Sequence, residues 1–230
     1  MATIVFGHGY TGSRLNKIIS GSIATELPSL CKEGQIPFDF NNESTWSNLP
    51  MFDSAVITFK MTDEVQASKF SHLLKDKKTI VLSSARNLLN TQPDEVINEF
   101  TPLADSLRAK SEKYFEPTAI ILYLGLIWGK KRTPLKWLTE NRIKNGSKYI
   151  NLIHVDDLCQ IIKHFLENDF KPDKYLISDG DCRKWRELAN NFGCSLNSQE
   201  NGLESRIFNT EKLTSVLPEG FCFTKVSTNS

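Results

Sequence analysis

The start of the chain constrains its fold most. Thr3-Ile4-Val5-Phe6, a run with the character of a buried strand, leads directly into Gly7-His8-Gly9-Tyr10-Thr11-Gly12, and Leu15, Ile18 and Ile19 follow at helical spacing. Strand, glycine turn and amphipathic helix in that order make a βα unit with its strand inside a parallel sheet. A phosphate needs main-chain N–H groups pointing at it and no side chain in the way, which glycine permits between a strand and a helix. In this reading Gly7 makes the tight turn, Gly9 lets a pyrophosphate approach and Gly12 lets helix and strand pack closely, with Tyr10 and Thr11 completing the loop. Gly-x-Gly-x-x-Gly by itself is a weak signal; its place after an N-terminal buried strand and before an amphipathic helix favours a dinucleotide cradle over a merely tight structural turn.

The same fingerprint expects an acid about 20 residues on, at the end of the second strand, to accept hydrogen bonds from the adenosine ribose. Glu26 stands there with no arginine beside it, which favours NAD over NADP. A solvated loop carboxylate would look the same in sequence.

Beyond the loop, apolar runs alternate with amphipathic segments. Strands are expected at 22–25, 36–40, 54–59, 79–82, 118–124 and 174–178. Asp63 and Gln66 form a capping pair for a crossover helix with Val65, Phe70, Leu73 and Leu74 on its apolar face. The polar stretch 83–100 reads as a long loop at a strand's carboxyl end, where sites are usually bordered. Thr101-Pro102 supplies a capping hydroxyl and an N1 proline for a helix carrying Leu103, Leu107, Tyr114 and Phe115. Thr133-Pro134 opens another helix, ended near Asn145-Gly146, and Asp156 or Asp157 begins one carrying Leu158, Ile161, Ile162, Phe165 and Leu166. A last helix shows Trp185, Leu188, Ala189 and Phe192 with Gly193 as its C-cap residue, and Phe221-Cys222-Phe223 reads as a short edge element.

The fold class is therefore α/β, a Rossmann-like doubly wound parallel sheet with a small C-terminal substrate lobe. A single NAD(P)-binding domain over 1–230 is expected, with 128–146 and 181–230 contributing the lobe. Hydrophobic residues make up 40% of the chain, charged residues 24%, and the formal charge is +1, so no global field attracts nucleic acid or an acidic membrane. The five cysteines form no CxxC pair and are odd in number, which suggests neither a zinc knuckle nor a complete disulfide framework and suits a reducing cytoplasm. The first residues carry no basic segment followed by a long apolar stretch, so no signal peptide is expected. The most apolar stretch, 119–128, is shorter than the roughly 20 residues a membrane span needs.

Several stretches in their order carry a resemblance: the glycine loop, Leu82-Ser83-Ser84, Glu99-Phe100-Thr101-Pro102 leading to Lys110, Gly125-Leu126-Ile127-Trp128-Gly129, and Asn151-Leu152-Ile153-His154-Val155-Asp156-Asp157-Leu158. Together with Tyr175-Leu176-Ile177-Ser178-Asp179-Gly180 and Arg206-Ile207-Phe208-Asn209-Thr210, they make the sequence similar over nearly its whole length to the short-chain dehydrogenase/reductase superfamily. The likeness is to its atypical and NAD-dependent epimerase/dehydratase-like branches. It implies an NAD(P)-binding oxidoreductase or epimerase acting on a small or nucleotide-linked hydroxyl compound, with Lys110 on the nicotinamide ribose and Ser84, or Ser83 in its place, polarising the reacting oxygen. Either serine could instead simply close the end of its strand.

The departure lies at the catalytic helix. The family uses Tyr-x-x-x-Lys, whose tyrosine exchanges a proton with substrate. Here Ser106-Leu107-Arg108-Ala109-Lys110 keeps the lysine and puts Ser106, a far weaker acid than a phenol of pKa about 10, at the tyrosine position. Tyr123 stands where the family commonly has arginine, so a substrate phosphate contact is in doubt. A second reading follows, a non-catalytic dinucleotide sensor or scaffold that has lost the catalytic tyrosine.

No metal is expected: His154, Asp156 and Asp157 read as a helix start, since successive carboxylates point to different sides. His8 is assigned no catalytic role. Lys130, Lys131, Arg132, Lys136, Arg142, Lys144 and Lys148 make a basic segment that reads as a solvated face; its pairing with a substrate diphosphate or an RNA backbone is the rival, and RNA is disfavoured by the near-neutral charge. Trp128, Trp137 and Trp185 read as core. Oligomeric state is open, because the helices around 103–115 used in family dimers serve equally well in a monomer.

Overall fold

The structure is a computed structural model describing residues 2–197, 199–200 and 202–227. From the N-terminus, β1 (Thr3–Phe6) passes through the glycine loop into α1 (Gly12–Ile18), followed by β2 (Ser22–Glu26) and β3 (Ile36–Pro37). Next come β4 (Ser54–Ile57), α2 (Glu64–Leu73), β5 (Lys78–Ser84), β6 (Glu95–Ile97), α3 (Leu107–Lys113), β7 (Ala119–Leu124) and β8 (Leu126–Trp128). The remainder holds α4 (Pro134–Thr139), β9 (Tyr149–Ile150), β10 (Leu152–His154), α5 (Val155–Glu167), β11 (Lys174–Ile177), β12 (Arg183–Lys184), α6 (Trp185–Asn191), β13 (Arg206–Phe208) and α7 (Glu211–Val216).

Seven strands form one sheet in the order β11-β7-β5-β4-β1-β2-β3. β1 pairs in parallel with both β2 and β4, Val5 lying opposite Ala24 on one side and Val56 on the other. It is buried on both faces, which is why it reads as an unbroken rather than alternating run. The chain leaves β1 for β2 and β3 on one side and for β4, β5 and β7 on the other. The strand order therefore reverses at β1 and β4, and the glycine loop sits at the carboxyl end of that switch point. The Ile121 amide donates to Asp173 O (2.8 Å) and the Gly125 amide to Ile177 O (2.9 Å), an ascending register that makes β7 and β11 parallel as well.

The chain gathers into two compact units. The first comprises Met1–Ser83, Asp105–Leu122 and Cys159–Lys174; the second comprises Ser84–Ala104, Tyr123–Leu158 and Tyr175–Ser230.

In the first unit aromatic rings fill the core. Phe6 meets Phe38 (4.9 Å between centroids) and Phe70 (5.1 Å) edge-on, and Trp46 and Phe115 close on Phe70 at 5.3 and 6.2 Å. α2 is capped as expected, Asp63 accepting the Gln66 amide at 3.0 Å, but its buried stripe is Ala67, Phe70 and Leu74. Val65 and Leu73, expected on that stripe, are 64% and 43% exposed. At 100° per residue a three-residue seam at i, i+3 and i+7 suffices for a helix lying over large rings, and residues 65 and 73 fall outside it.

A buried polar network closes the end of β5. The Ser83 hydroxyl donates to Glu112 Oε2, Arg108 Nε donates to Glu112 Oε1 at 2.6 Å, and Arg108 Nη2 donates to Leu82 O at 2.7 Å. Glu112 can be buried because both carboxylate oxygens have donors.

Several expected elements differ. α3 begins after Ser106, whose Oγ accepts the Ala109 amide at 3.1 Å, and not at Thr101-Pro102. Long-range pairing takes the earlier residues: the Leu89 amide donates to Pro102 O and the Ala104 amide to Asn87 O, each at 2.7 Å, which holds 102–104 extended. The 83–100 stretch is no simple loop. It holds a 3-10 turn at Ala85–Asn87 and β6, which pairs in parallel with β13, Val96 opposite Ile207. Such a pairing across more than a hundred residues leaves no local periodicity to read. α4 ends at Thr139, well before Asn145-Gly146. α5 starts at Val155, with Asp156 and Asp157 inside its first turn and His154 Nδ1 accepting the Asp156 amide at 3.3 Å. The helix at 185–191 is followed by α7, and Phe221-Cys222-Phe223 forms no strand.

The second unit has its own core of Trp128, Trp137, Trp185, Leu138, Ile150 and Leu152, in line with the reading of the three tryptophans as core. Gly193 ends α6 at φ +68°. After β11, the fully buried Asp179 carboxylate takes Arg183 Nη2 at 2.7 Å and the Asp181 amide at 3.1 Å. Its burial holds the carboxyl above the usual aspartate range, against the pull of Arg183. All five cysteines are thiols. Among the described residues no helix is long and apolar enough to cross a membrane.

Two outcomes are expected. Glu112→Ala strands the Arg108 guanidinium and the Ser83 hydroxyl and should lower stability by about 3 kcal/mol in urea denaturation. Because Asp179 has a higher pKa folded than unfolded, the folded chain binds the extra proton, and this residue's contribution to stability falls as pH rises from about 4 through the folded value. Asp179→Asn should remove that fall from a pH series of unfolding midpoints.

Candidate functional site

Contacts require glycine at two positions of the first loop, and the third faces open space. Gly7 has φ +97°, and a methyl group on it would lie 2.7 Å from Thr58 Oγ1. A methyl group on Gly12 would run into the Gly7 carbonyl oxygen. A Cβ on Gly9 would meet nothing within 4 Å, so at its middle the loop faces open space. Tight turn, open approach and close packing are the three properties that a diphosphate cradle needs.

The rest of the loop is fixed from within. The Ser13 amide donates to Gly9 O, and the Arg14 and Leu15 amides to Thr11 O, all at 3.0 Å. The Thr11 hydroxyl does not cap α1, so it does not cover the first-turn amides of the helix. The Arg14 guanidinium lies over the Tyr10 ring at 4.1 Å and donates to Tyr10 O at 3.0 Å. His8 Nδ1 is buried without a hydrogen-bond partner among the described residues. No carboxylate belongs to the loop, and the residues present fit an anionic diphosphate linker.

The loop is also held from the neighbouring strands. The Gly7 amide donates to Thr25 Oγ1 at 3.1 Å, and the single Thr58 hydroxyl proton is shared between Phe6 O (2.9 Å) and Gly7 O (3.3 Å). Glu26 ends β2 one residue beyond Thr25, partly exposed, with Oε1 accepting the Leu27 amide at 3.0 Å. The acid of the fingerprint and the glycine loop thus lie together in the first unit. Sequence reasoning passed over Thr25 and Thr58. Nothing in their spacing marks them, since only strand pairing brings residues 7, 25 and 58 side by side.

On α3, Lys110 Nζ pairs with Asp105 Oδ1 at 2.7 Å, with the lysine side chain half exposed. The carboxylate beside it holds the Lys110 ammonium above the ordinary lysine value, and the ammonium holds Asp105 below the ordinary aspartate value. Ser106 lies in the same unit as the N-cap of this helix, its hydroxyl accepting the Ala109 amide. Of the two serines at the end of β5, Ser83 donates to Glu112, whereas Ser84 Oγ accepts the Arg86 amide at 3.3 Å and caps the turn at Ala85–Asn87. Ser83 belongs to the first unit and Ser84 to the second. The Arg108–Glu112 pair that occupies Ser83 was legible as an i, i+4 spacing.

Tyr123 is buried in β7. In the second unit a cavity of about 510 Å³ is lined by Phe208, Asn209, Thr210, Glu211, Thr214 and Ser215; the first three belong to the 206–210 stretch that carries the resemblance, and none is a candidate catalytic or cofactor-binding residue. Among the described residues no group of three or more histidine, cysteine, aspartate or glutamate side chains is arranged to hold a metal.

The sequence matches no protein-family model and no curated protein. Solved structures match in fold. A dTDP-glucose 4,6-dehydratase from Bacillus anthracis, in complex with NAD, superposes with a TM-score of 0.70 at 15% identity over 94% of this chain and 89% of that one. A UDP-glucuronic acid 4-epimerase variant from Bacillus cereus, in complex with UDP-4-deoxy-4-fluoro-glucuronic acid and NAD, gives 0.70 at 14% identity over 94% and 92%. A UDP-N-acetylglucosamine 4-epimerase from Methanobrevibacter ruminantium, in complex with UDP-N-acetylmuramic acid, gives 0.73 at 13% identity over 97% and 93%. The chain has the Rossmann-like α/β fold of these epimerase and dehydratase structures.

Proposed function

We propose that the chain binds NAD at the glycine loop and acts as an NAD-dependent oxidoreductase or epimerase on a nucleotide-linked hydroxyl compound. The observation that carries this reading is the division of labour among Gly7, Gly9 and Gly12: a left-handed turn, an open face and a helix packed onto the turn's carbonyl. It occurs at the carboxyl end of β1, at the switch point of the sheet, where open α/β sheets take their ligands. Solved structures of like fold carry NAD and sugar nucleotides, which supports the same kind of chemistry here.

In this reading the loop amides hold the diphosphate, with Tyr10 and Thr11 at its edge, and Glu26 accepts the adenosine ribose hydroxyls. When bound, NAD supplies hydride transfer. Lys110 holds the nicotinamide ribose once it exchanges Asp105 for that partner, and the Ser84 hydroxyl, whose lone pair accepts the Arg86 amide, polarises the reacting oxygen by a hydrogen bond in which the serine keeps its proton. Ser106 is no proton carrier, because an aliphatic hydroxyl is far too weak an acid and this one is the helix cap. A water takes that part.

Two measurements test the reading. Calorimetric titration should show NAD bound more tightly than NADP, because a 2′-phosphate would face the Glu26 carboxylate with no arginine to offset it; tighter NADP binding would reverse the assignment. Lys110→Ala should weaken NAD binding by about tenfold, the loss of one charge-assisted hydrogen bond, while leaving the unfolding midpoint within a few degrees because its ion pair is exposed. Unaltered binding would remove Lys110 from the ribose. Reduction of bound NAD by a panel of nucleotide sugars, followed at 340 nm, identifies the substrate class; NAD binding with no turnover on any of them would remove the enzymatic part of the proposal.

A further inference from the structure

The main-chain groups of Gly7 meet two hydroxyl groups, one from β2 and one from the residue that follows β4. The Gly7 N–H donates to Thr25 Oγ1, at 3.1 Å, from β2. Just past the end of β4, the single Thr58 hydroxyl proton is shared between Phe6 O at 2.9 Å and the Gly7 carbonyl oxygen at 3.3 Å. The Thr58 main-chain amide also donates to Phe6 O at 3.0 Å. Thr58 Oγ1 is thus at the centre of the loop: it lies 2.7 Å from where a Gly7 Cβ would stand and 3.1 Å from where a Gly12 Cβ would stand. Thr25 is buried, so its hydroxyl faces the loop rather than solvent.

A glycine at φ +97° has more rotational freedom than any other residue, and freedom at Gly7 would swing the amides that follow it. Thr25 holds the Gly7 N–H, and Thr58 ties together the carbonyl oxygens on either side of the Gly7 Cα, so turning the backbone there disturbs both contacts. From this geometry we infer that Thr25 and Thr58 are positioning residues. They lock the Gly7 backbone in the ligand-free protein, so that the loop amides already face the diphosphate before it arrives. Binding then does not have to order the loop, which is where preorganisation raises affinity. The ligand in this inference rests on the proposed dinucleotide reading; the geometry rests on the chain's own hydrogen bonds.

Valine and serine substitutions separate the hydroxyl from the shape of the side chain. Thr25→Val and Thr58→Val keep the volume and lose the hydrogen bonds; Thr25→Ser and Thr58→Ser keep the hydroxyl and lose a methyl group. Each valine variant should raise the Kd for NAD by about tenfold, and each serine variant should stay within about twofold of the wild type. In the ligand-free protein, amide hydrogen exchange read by NMR should show the Gly7 amide losing about tenfold of its protection in Thr25→Val and keeping it in Thr25→Ser. If the serine variants lose affinity and the valine variants keep it, packing is what matters and the inference is overturned. Wild-type binding that survives both valine substitutions unchanged overturns it alone. Wild-type protein that binds neither NAD nor NADP overturns the proposed function and the inference with it.

Discussion

The approach of Gly12 to the Gly7 carbonyl is the contact on which the rest of the first unit is arranged. With any side chain at residue 12, α1 would have to start farther from the end of β1, and the loop between them would lengthen. Because it does not, the first turn of α1 faces the carboxyl end of the central strand, and the gap over Gly9 is left as the approach to it. A buried parallel strand, flanked on both sides by pairing partners, supplies the rigid base. The hydroxyls of Thr25 and Thr58 come from β2 and from the residue just after β4, so the sheet that fixes the strand also fixes the loop.

Polar groups elsewhere are taken up by the structure itself. The end of β5 and the start of α3 hold Ser83, Ser106, Arg108 and Glu112, and each of them serves the structure. Ser106 caps the helix, and the other three share one buried network. A buried carboxylate is tolerated only where donors satisfy it, and Arg108 with Ser83 does so for Glu112. What remains toward solvent from this group is Lys110, paired with the exposed Asp105, a contact that water screens and a ligand can replace.

Much of the architecture was legible because the signals were local. The strand at 3–6, the glycine turn, the capping of α2 by Asp63, the proline-opened α4 and the Gly193 cap of α6 each follow from a few adjacent residues, and the structure has them where those residues point. Differences gather where distant segments pair. The stretch at 102–104 has every local mark of a helix start, yet it lies extended against 87–89, and β6 exists only because β13 runs beside it. Spacing alone could not tell Ser83 from Ser84. Neighbouring residues on a strand point to opposite faces, and which face meets α3 depends on how the helix packs.

The sequence by itself determined the strand-loop-helix unit and the chemistry it can host, since three glycines at that spacing admit a phosphate for reasons of backbone geometry alone. It also put serine and not tyrosine at position 106, four residues before Lys110. Only the tertiary structure decided which hydroxyls serve the loop, which serine is committed to Glu112, and that residues 25 and 58 meet at Gly7. Hydrogen bonds between strands join residues by register and not by nearness in the chain, and register is set when the sheet assembles.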